Sequence, residues 1–341
     1  ISMSIEVDAE LLDYCAKIPK GELHAHLSGS VSNGTIEKLS GDVAHTFRCH
    51  ESDASFVLNL NDCFSRFKTL HGLLQTPEAI YIASKDVIEE FKNDGVIYLE
   101  LRTTPREIPG VMSKRDYLDS VLKAIHESNH IIVILLVSID RKDDLQYSDN
   151  TVDLAIEYAK KYPKTVVGID LSGNPNLKSA VDFKPLLEKA KCSGLKLAIH
   201  VAEVENDLES SQLMKCLPDR IGHGTFLYKK SYDGQNITVP SSVALELCLT
   251  SNVISKTVSS YKSHHMKHWL EVGHPVVLCT DDKGVFSTCL SYEYAIAATV
   301  FSLSRTDLCE LALNSFKYSF AEESIRESCI LKLNEFCNAN G

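Results

Sequence analysis

Eight short apolar, β-branched runs recur along the chain, at residues 21–26, 95–102, 131–139, 165–171, 195–200, 219–222, 244–250 and 275–280. Between them lie amphipathic stretches with apolar residues at helical spacing, among them 79–91, 115–125, 151–161 and 183–192. Near-continuous apolar strands alternating with helices predict a parallel sheet, because a strand covered on both faces has no polar side. Eight such units match an α/β fold of the closed (β/α)8, or TIM, barrel type. Residues 291–337 read as helical throughout and should supply the last barrel helix plus extra C-terminal packing helices. Residues 40–61 lack periodicity and are expected to form a lid over the mouth of the first strand. No linker, repeat or low-complexity tract interrupts the pattern, so 1–341 reads as a single domain.

Composition narrows the function classes. With 341 residues, 44% hydrophobic and 24% charged, the chain can bury a sizeable core, which excludes disorder and collagen. A net charge of −11 argues against a nucleic-acid backbone or an anionic membrane as partner, while leaving room for a small anionic ligand. No 18-residue apolar span is present, and residues 1–10 lack the basic start and apolar stretch of a secretory leader, so a cytoplasmic protein is expected. The 11 cysteines are scattered singly without a Cys-x-x-Cys, which argues against a disulfide framework or a cysteine zinc knuckle. They should serve as small buried hydrophobes in a reducing compartment. Asn-x-Thr sequons at Asn33 and Asn236 would matter only in a secreted chain.

Candidate chemistry sits at the ends of the predicted strands. His24 and His26 lie two residues apart on the first strand, so both imidazoles project to one side. Two nitrogen ligands from one rigid element are half of a metal site. Downstream come Ile199-His200-Val201-Ala202-Glu203, Ile221-Gly222-His223-Gly224 and Cys279-Thr280-Asp281-Asp282, each closing an apolar run. In a (β/α)8 barrel the C-terminal strand ends converge on one face, where active sites form. A buried histidine is more often hydrogen-bonded core than ligand, but four motifs in equivalent positions outweigh that reading. Residues 126–130 also spell His-Glu-x-x-His, a metalloprotease pattern that requires one continuing helix. Here the chain passes at once into a strand, so a protease site is not expected. The cytidine-deaminase type of zinc site is excluded by its missing Cys-x-x-Cys.

The chain resembles the adenosine and AMP deaminase family of zinc amidohydrolases, and within it the adenosine deaminase-like branch that acts on N6-methyl-AMP. The resemblance runs from PKGELHAHL (19–27) through LELRTTPR (99–106), GIDLSGNP (168–175), DRIGHGTF (219–226) and LELCLTSN (245–252) to CTDDKGVF (279–286). It implies His24, His26, His200 and Asp281 as ligands of one Zn2+ per chain, and three imidazoles with one carboxylate suit that ion. Zinc can lower the pKa of a bound water to roughly 7. Glu203 is implied as the acid that protonates purine N1, and His223, flanked by two glycines, as the group that stabilises developing oxyanion charge. Asp282 is implied to accept a hydrogen bond involving N7, and the Gly173 backbone to meet N3. The bland alternatives are a surface acid for Glu203 and a helix N-cap for Asp282.

Adenosine-preferring relatives carry Asp where this chain has Ser28, and the N6-methyl-AMP branch usually has Asn there. A neutral hydroxyl tolerates a 5′-phosphate that a carboxylate would repel. His71, Thr103, Thr104 and Arg106 are the expected phosphate partners, against a reading of Arg106 as a solvated loop charge. The implied reaction is hydrolysis of N6-methyl-AMP to IMP and methylamine by a monomer, with adenosine deamination as the alternative. A catalytically inactive nucleotide-binding barrel is a weaker rival. A cyclic-amide hydrolase is another, but no lysine stands at the strand ends to bridge two metals.

Overall fold

The computed structural model describes residues 5–41, 60–229 and 237–340. Its elements run α1 (Ala9–Lys17), β1 (Lys20–His26), α2 (Asn33–Ser40), α3 (Leu60–Leu73), α4 (Pro77–Asn93), β2 (Val96–Thr103), α5 (Lys114–Glu127), β3 (Ile132–Asp140), α6 (Leu145–Lys161), β4 (Val166–Ser172), α7 (Lys184–Cys192), β5 (Lys196–Val201), α8 (Asp207–Met214), β6 (Arg220–His223), β7 (Ala244–Leu247), α9 (Leu249–Ile254), α10 (Met266–Glu271), β8 (Val276–Leu278), α11 (Lys283–Phe286), α12 (Leu290–Phe301), α13 (Arg305–Lys317) and α14 (Glu323–Asn340). The eight strands form one sheet in sequence order, every neighbouring pair parallel. Closure comes just past β8, where Asp281 N–H donates to the His24 carbonyl at 2.8 Å and His26 N–H to the Asp281 carbonyl at 3.0 Å. The metal motif and the barrel seam are thus the same stretch of backbone. The expected (β/α)8 barrel with C-terminal helices is the fold observed.

Two local expectations need correction, and a third gains detail. The seventh strand stops at Leu247 rather than running to 250, because α9 follows almost directly and is itself buried; its Thr250 N–H donates to the Glu293 carboxylate at 3.1 Å. An apolar run cannot mark the border between two buried elements. The C-terminal segment is helical as expected and divides into α12, α13 and α14. Ser302 turns into the left-handed region at φ 56 and Ser304 opens α13 with a capping box to Asp307. Between α13 and α14, the Tyr318 carbonyl accepts from Arg220 at 3.0 Å and Phe320 N–H donates to Glu100 at 2.6 Å, so that backbone is engaged by the barrel instead of by a helix. Finally, Cys309 and Cys337, 28 residues apart, form a disulfide joining the packed helices α13 and α14, where no pairing was expected. Of the other described cysteines, Cys15, Cys216, Cys248, Cys279 and Cys329 are buried as expected, whereas Cys192 is exposed and Cys289 half-buried. Among the described residues no helix joins β6 to β7. The supposed lid falls largely on residues 42–59, outside the described residues.

The barrel interior is ionic as well as apolar. Glu246, with no exposure, accepts from Arg102 Nη2 at 2.5 Å, Arg220 Nε at 2.7 Å and His24 Nδ1 at 2.7 Å. Arg102 also reaches Asp170 at 3.1 Å, and Arg220 pairs with Glu100. Charges so buried persist only when paired and hydrogen-bonded, and each of these is.

Candidate metal centre and catalytic cavity

Strand ends β1, β5 and β8 bring four donors together. His26 Nε2 lies 3.3 Å from both His24 Nε2 and His200 Nε2, and Asp281 Oδ1 lies 3.4 Å from His24 Nε2 and 3.5 Å from His26 Nε2. A tetrahedral ion about 2.0–2.1 Å from each donor spaces its ligands by roughly 3.3–3.4 Å, which these four separations match, and all four donor atoms lie within 4.8 Å of one another. Their tautomers agree. His24 Nδ1 faces the Glu246 carboxylate and His200 Nδ1 faces both the Leu171 carbonyl at 3.0 Å and Asp170 at 3.1 Å. Those acceptors fix the proton on Nδ1 and leave each Nε2 lone pair pointing inward, as a metal requires. Charge fits as well: in the connected network the carboxylates of Glu100, Asp170, Glu246 and Asp281 face two guanidiniums, an excess of two negative charges that a divalent cation would balance. The described residues hold no comparable second four-donor cluster; the smaller group His223, Cys248 and Asp281 shares Asp281 with the first.

The backbone bends to achieve this. Ala202, His223 and Asp281 carry φ of 54°, 61° and 61°, a left-handed conformation that non-glycine residues adopt only under constraint. Gly222 is required by close approach, since a Cβ there would stand 2.9 Å from His24 Cε1. Ser251 Oγ donates to the second Asp281 oxygen at 2.7 Å. His223 Nε2 lies 3.8 Å from Asp281 Oδ2 and 4.0 Å from Glu203 Oε1. Burial, reinforced by the Asp281 carboxylate, pushes Glu203 up to about 8, so it can carry a proton at neutral pH. A surface acid would not behave so.

Asp282 occupies the N-cap position of α11 yet makes no capping hydrogen bond, and its Oδ1 is buried without a partner. Gly29 leaves it room, because a Cβ there would lie 1.7 Å from that oxygen. Burial, then the neighbouring Asp281, hold its carboxyl well above the usual range. The N-cap reading is therefore excluded.

These groups open into a cavity of about 590 Å³ whose wall includes His26, Ser28, His71, Thr104, Arg106, Gly173, His200, Glu203, His223, Asp281 and Asp282. That is ample for a nucleotide. Thr103 is not in that wall: it is buried with its hydroxyl 2.7 Å from the Tyr117 hydroxyl, one strand position too early to face the cavity. Arg106 lines the cavity and donates to the Leu74 carbonyl at 3.2 Å, so it is not a free loop charge. Burial, then Arg106 and Lys142, push His71 down to about 3, so a neutral ring stands beside two cations, of which Lys142 also meets Asp140 at 2.8 Å. Lys68 and Lys142 also line the cavity and were not foreseen. The metalloprotease pattern dissolves: α5 ends at Glu127 and His130 sits at φ 70° beyond it.

Residues 19–335 match the family model described as adenosine deaminase. The chain belongs to the adenosine deaminase family. It is an aminohydrolase of that metal-dependent family, and Glu246 and Asp170, unassigned from sequence, are its unforeseen second layer. Human N6-methyl-AMP deaminase is 44% identical over 336 residues, covering 94% of each chain. The crystal structure of Arabidopsis ADAL complexed with IMP superposes with a TM-score of 0.86 at 33% identity, covering 96% of this chain and 100% of that one. A GMP complex of the same Arabidopsis protein gives 0.84 at 33% identity, covering 95% and 98%.

Proposed function

We propose that this adenosine deaminase family member hydrolyses N6-methyl-AMP at C6, giving IMP and methylamine, with one zinc ion held by His24, His26, His200 and Asp281. The carrying observation is the four-donor set at coordination spacing beside a carboxyl, Glu203, held up to about 8 within one nucleotide-sized cavity. When bound, zinc would acidify a water molecule toward neutrality and so supply the nucleophile.

The chain's own groups do the rest. Addition of oxygen to C6 pushes the C6–N1 electron pair onto N1, and protonated Glu203 delivers the proton that N1 then needs. His223 stabilises negative charge on the oxygen added at C6. Purine N7 offers only a lone pair, so its hydrogen bond needs a proton from Asp282, whose burial keeps that proton on; this reverses the acceptor role expected from the sequence. The Gly173 backbone orients the ring at N3. Collapse of the adduct forms the C6 carbonyl as the hydroxyl proton passes to the departing nitrogen, which leaves as methylamine, or as ammonia from AMP. Relatives named for N6-methyl-AMP, and a relative crystallised with IMP, support a 5′-monophosphate substrate. Ser28 leaves the phosphate unopposed, while His71, Thr104 and Arg106, joined by Lys68 and Lys142, would bind it. Turnover of adenosine, AMP, N6-methyladenosine and N6-methyl-AMP side by side tests this: N6-methyl-AMP should lead, and preference for adenosine would replace it with a nucleoside deaminase.

A further inference from the structure

We infer that Asn252 and His264 form a positioning relay that fixes His223 as its Nε2–H tautomer, making it a hydrogen-bond donor toward the reacting centre; this deepens the role given to His223 above. The argument starts at a group that can only donate. The Met266 backbone N–H points at His264 Nδ1 at 3.1 Å, so that nitrogen must hold a lone pair and the ring proton sits on Nε2. His264 Nε2–H faces the Asn252 side chain at 3.1 Å, which requires the amide oxygen there. The amide nitrogen is then on the opposite side, where it meets His223 Nδ1 at 3.2 Å and Thr257 Oγ1 at 3.2 Å, one acceptor for each hydrogen. His223 Nδ1 is therefore an acceptor, and the proton of the neutral ring lies on Nε2, which faces Asp281 and Glu203 at 3.8 and 4.0 Å.

All three members are buried, Asn252 completely, so no water can substitute for a lost partner at low cost. Reversing the amide would oppose donor to donor at His264 and leave His223 Nδ1 facing an oxygen, which would draw the ring proton to Nδ1 and turn Nε2 into an acceptor. His265 Nε2 meanwhile holds the His223 carbonyl at 2.9 Å, fixing the backbone at its left-handed turn. The tautomer thus follows from a backbone amide three hydrogen bonds away.

Selective 15N-histidine labelling reads the tautomer directly, with the His223 signals assigned by their loss in His223→Asn. The wild-type spectrum should show Nε2 protonated and Nδ1 bare, with or without metal; a protonated Nδ1 overturns the relay, whatever substrate the enzyme takes. Asn252→Asp, isosteric but acceptor-only, should move the proton to Nδ1 and lower kcat by roughly 100-fold, the scale of one lost oxyanion donor, with KM little changed. His264→Gln, which can still donate to the Asn252 oxygen, should keep the wild-type tautomer and most activity, whereas His264→Leu should not. An Asn252→Asp protein that loses activity with its His223 protons unmoved, or that retains activity within threefold, also overturns it. If the spectra behave as stated but no purine is turned over, the relay stands and only the functional reading fails.

Discussion

Replacing Glu246 by Gln tests whether the barrel's ionic interior builds the metal centre. Glu246 is fully buried and receives three donors, His24 Nδ1 at 2.7 Å and Arg102 Nη2 at 2.5 Å on one oxygen and Arg220 Nε at 2.7 Å on the other. An amide has one oxygen, so its least costly orientation keeps His24 and Arg102 and turns NH2 against Arg220. Arg220 retains Glu100 and the Tyr318 carbonyl but faces a donor where it had a carboxylate. Breaking a buried pair by removing one partner costs about 3–5 kcal/mol, and the lower end applies because two bonds survive. For a chain of this size that lowers the melting temperature by roughly 4–7 °C. His24 also becomes a weaker ligand, which should reduce metal affinity by about 10- to 100-fold in a competition titration against a chromophoric chelator. The pH dependence has a definite sign. Burial alone would raise the Glu246 carboxyl, but Arg102 and Arg220 hold it well below the usual range. Its contribution is therefore complete above the unfolded value near about 4.3 and is lost as pH falls through the depressed folded value. The stability gap between wild type and Glu246→Gln should stay constant from neutral pH downward and close only in that acid range. Equal melting temperature and equal metal affinity at pH 7 would refute the idea that this carboxylate organises the site.

Glu203→Gln should retain metal yet lose about 10²- to 10⁴-fold in turnover, because an amide fills the space without a carboxyl proton to give up; activity within a few-fold of wild type would assign the acid elsewhere. Ser28→Asp places a carboxylate beside the proposed phosphate, costing on the order of 1–4 kcal/mol, so monophosphate turnover should drop well over tenfold while nucleoside turnover falls less or rises. Equal losses on both substrates would contradict the phosphate reading. Elemental analysis should find one metal per chain, and the His24→Ala, His26→Ala double variant should hold almost none; a stoichiometry near two would demand a second donor set.

The barrel was legible because a parallel strand buried on both faces writes itself as an apolar run, and every such run proved to be a strand. The site was legible for a related reason: the proposed metal donors stand where those runs end, as His26, His200 and Asp281 do. What escaped was of four kinds. Glu246 and Asp170 lie inside the runs ALEL and VVGIDLS, and a carboxylate in an otherwise apolar strand is a signal that it must be paired, though not with whom. Asn252 sits on α9 just past a bend from β7 that an unbroken apolar run conceals, and His264 reaches it from the turn before α10. Thr103 was misjudged by its neighbour: Thr103 and Thr104 alternate in direction, so only Thr104 reaches the cavity. The Cys309–Cys337 pair depends on how two terminal helices pack, which no spacing reveals.

Each local rule broken at the site has a counterpart in what the site would bind. The left-handed turns at Ala202, His223 and Asp281 cost on the order of 1–3 kcal/mol apiece, yet they carry the strand ends over the barrel mouth and aim His223 and Asp281 at the metal cluster. The interior holds two more carboxylates than guanidiniums in its connected network, an imbalance that a divalent cation removes. Asp282 keeps a buried oxygen with no protein partner, and a purine N7 could take its proton. Arg106 and Lys142 bring positive charge beside a neutral His71, and a phosphate could pair with it, although Asp140 already meets Lys142 at 2.8 Å. The metal and the nucleotide are in this sense the missing members of networks that the fold leaves open, so the energy of binding them is drawn from unsatisfied groups fixed in place by the barrel. Because those groups are already oriented before anything binds, little of that energy is spent on reorganisation, which is the condition under which electrostatic stabilisation of a transition state is largest.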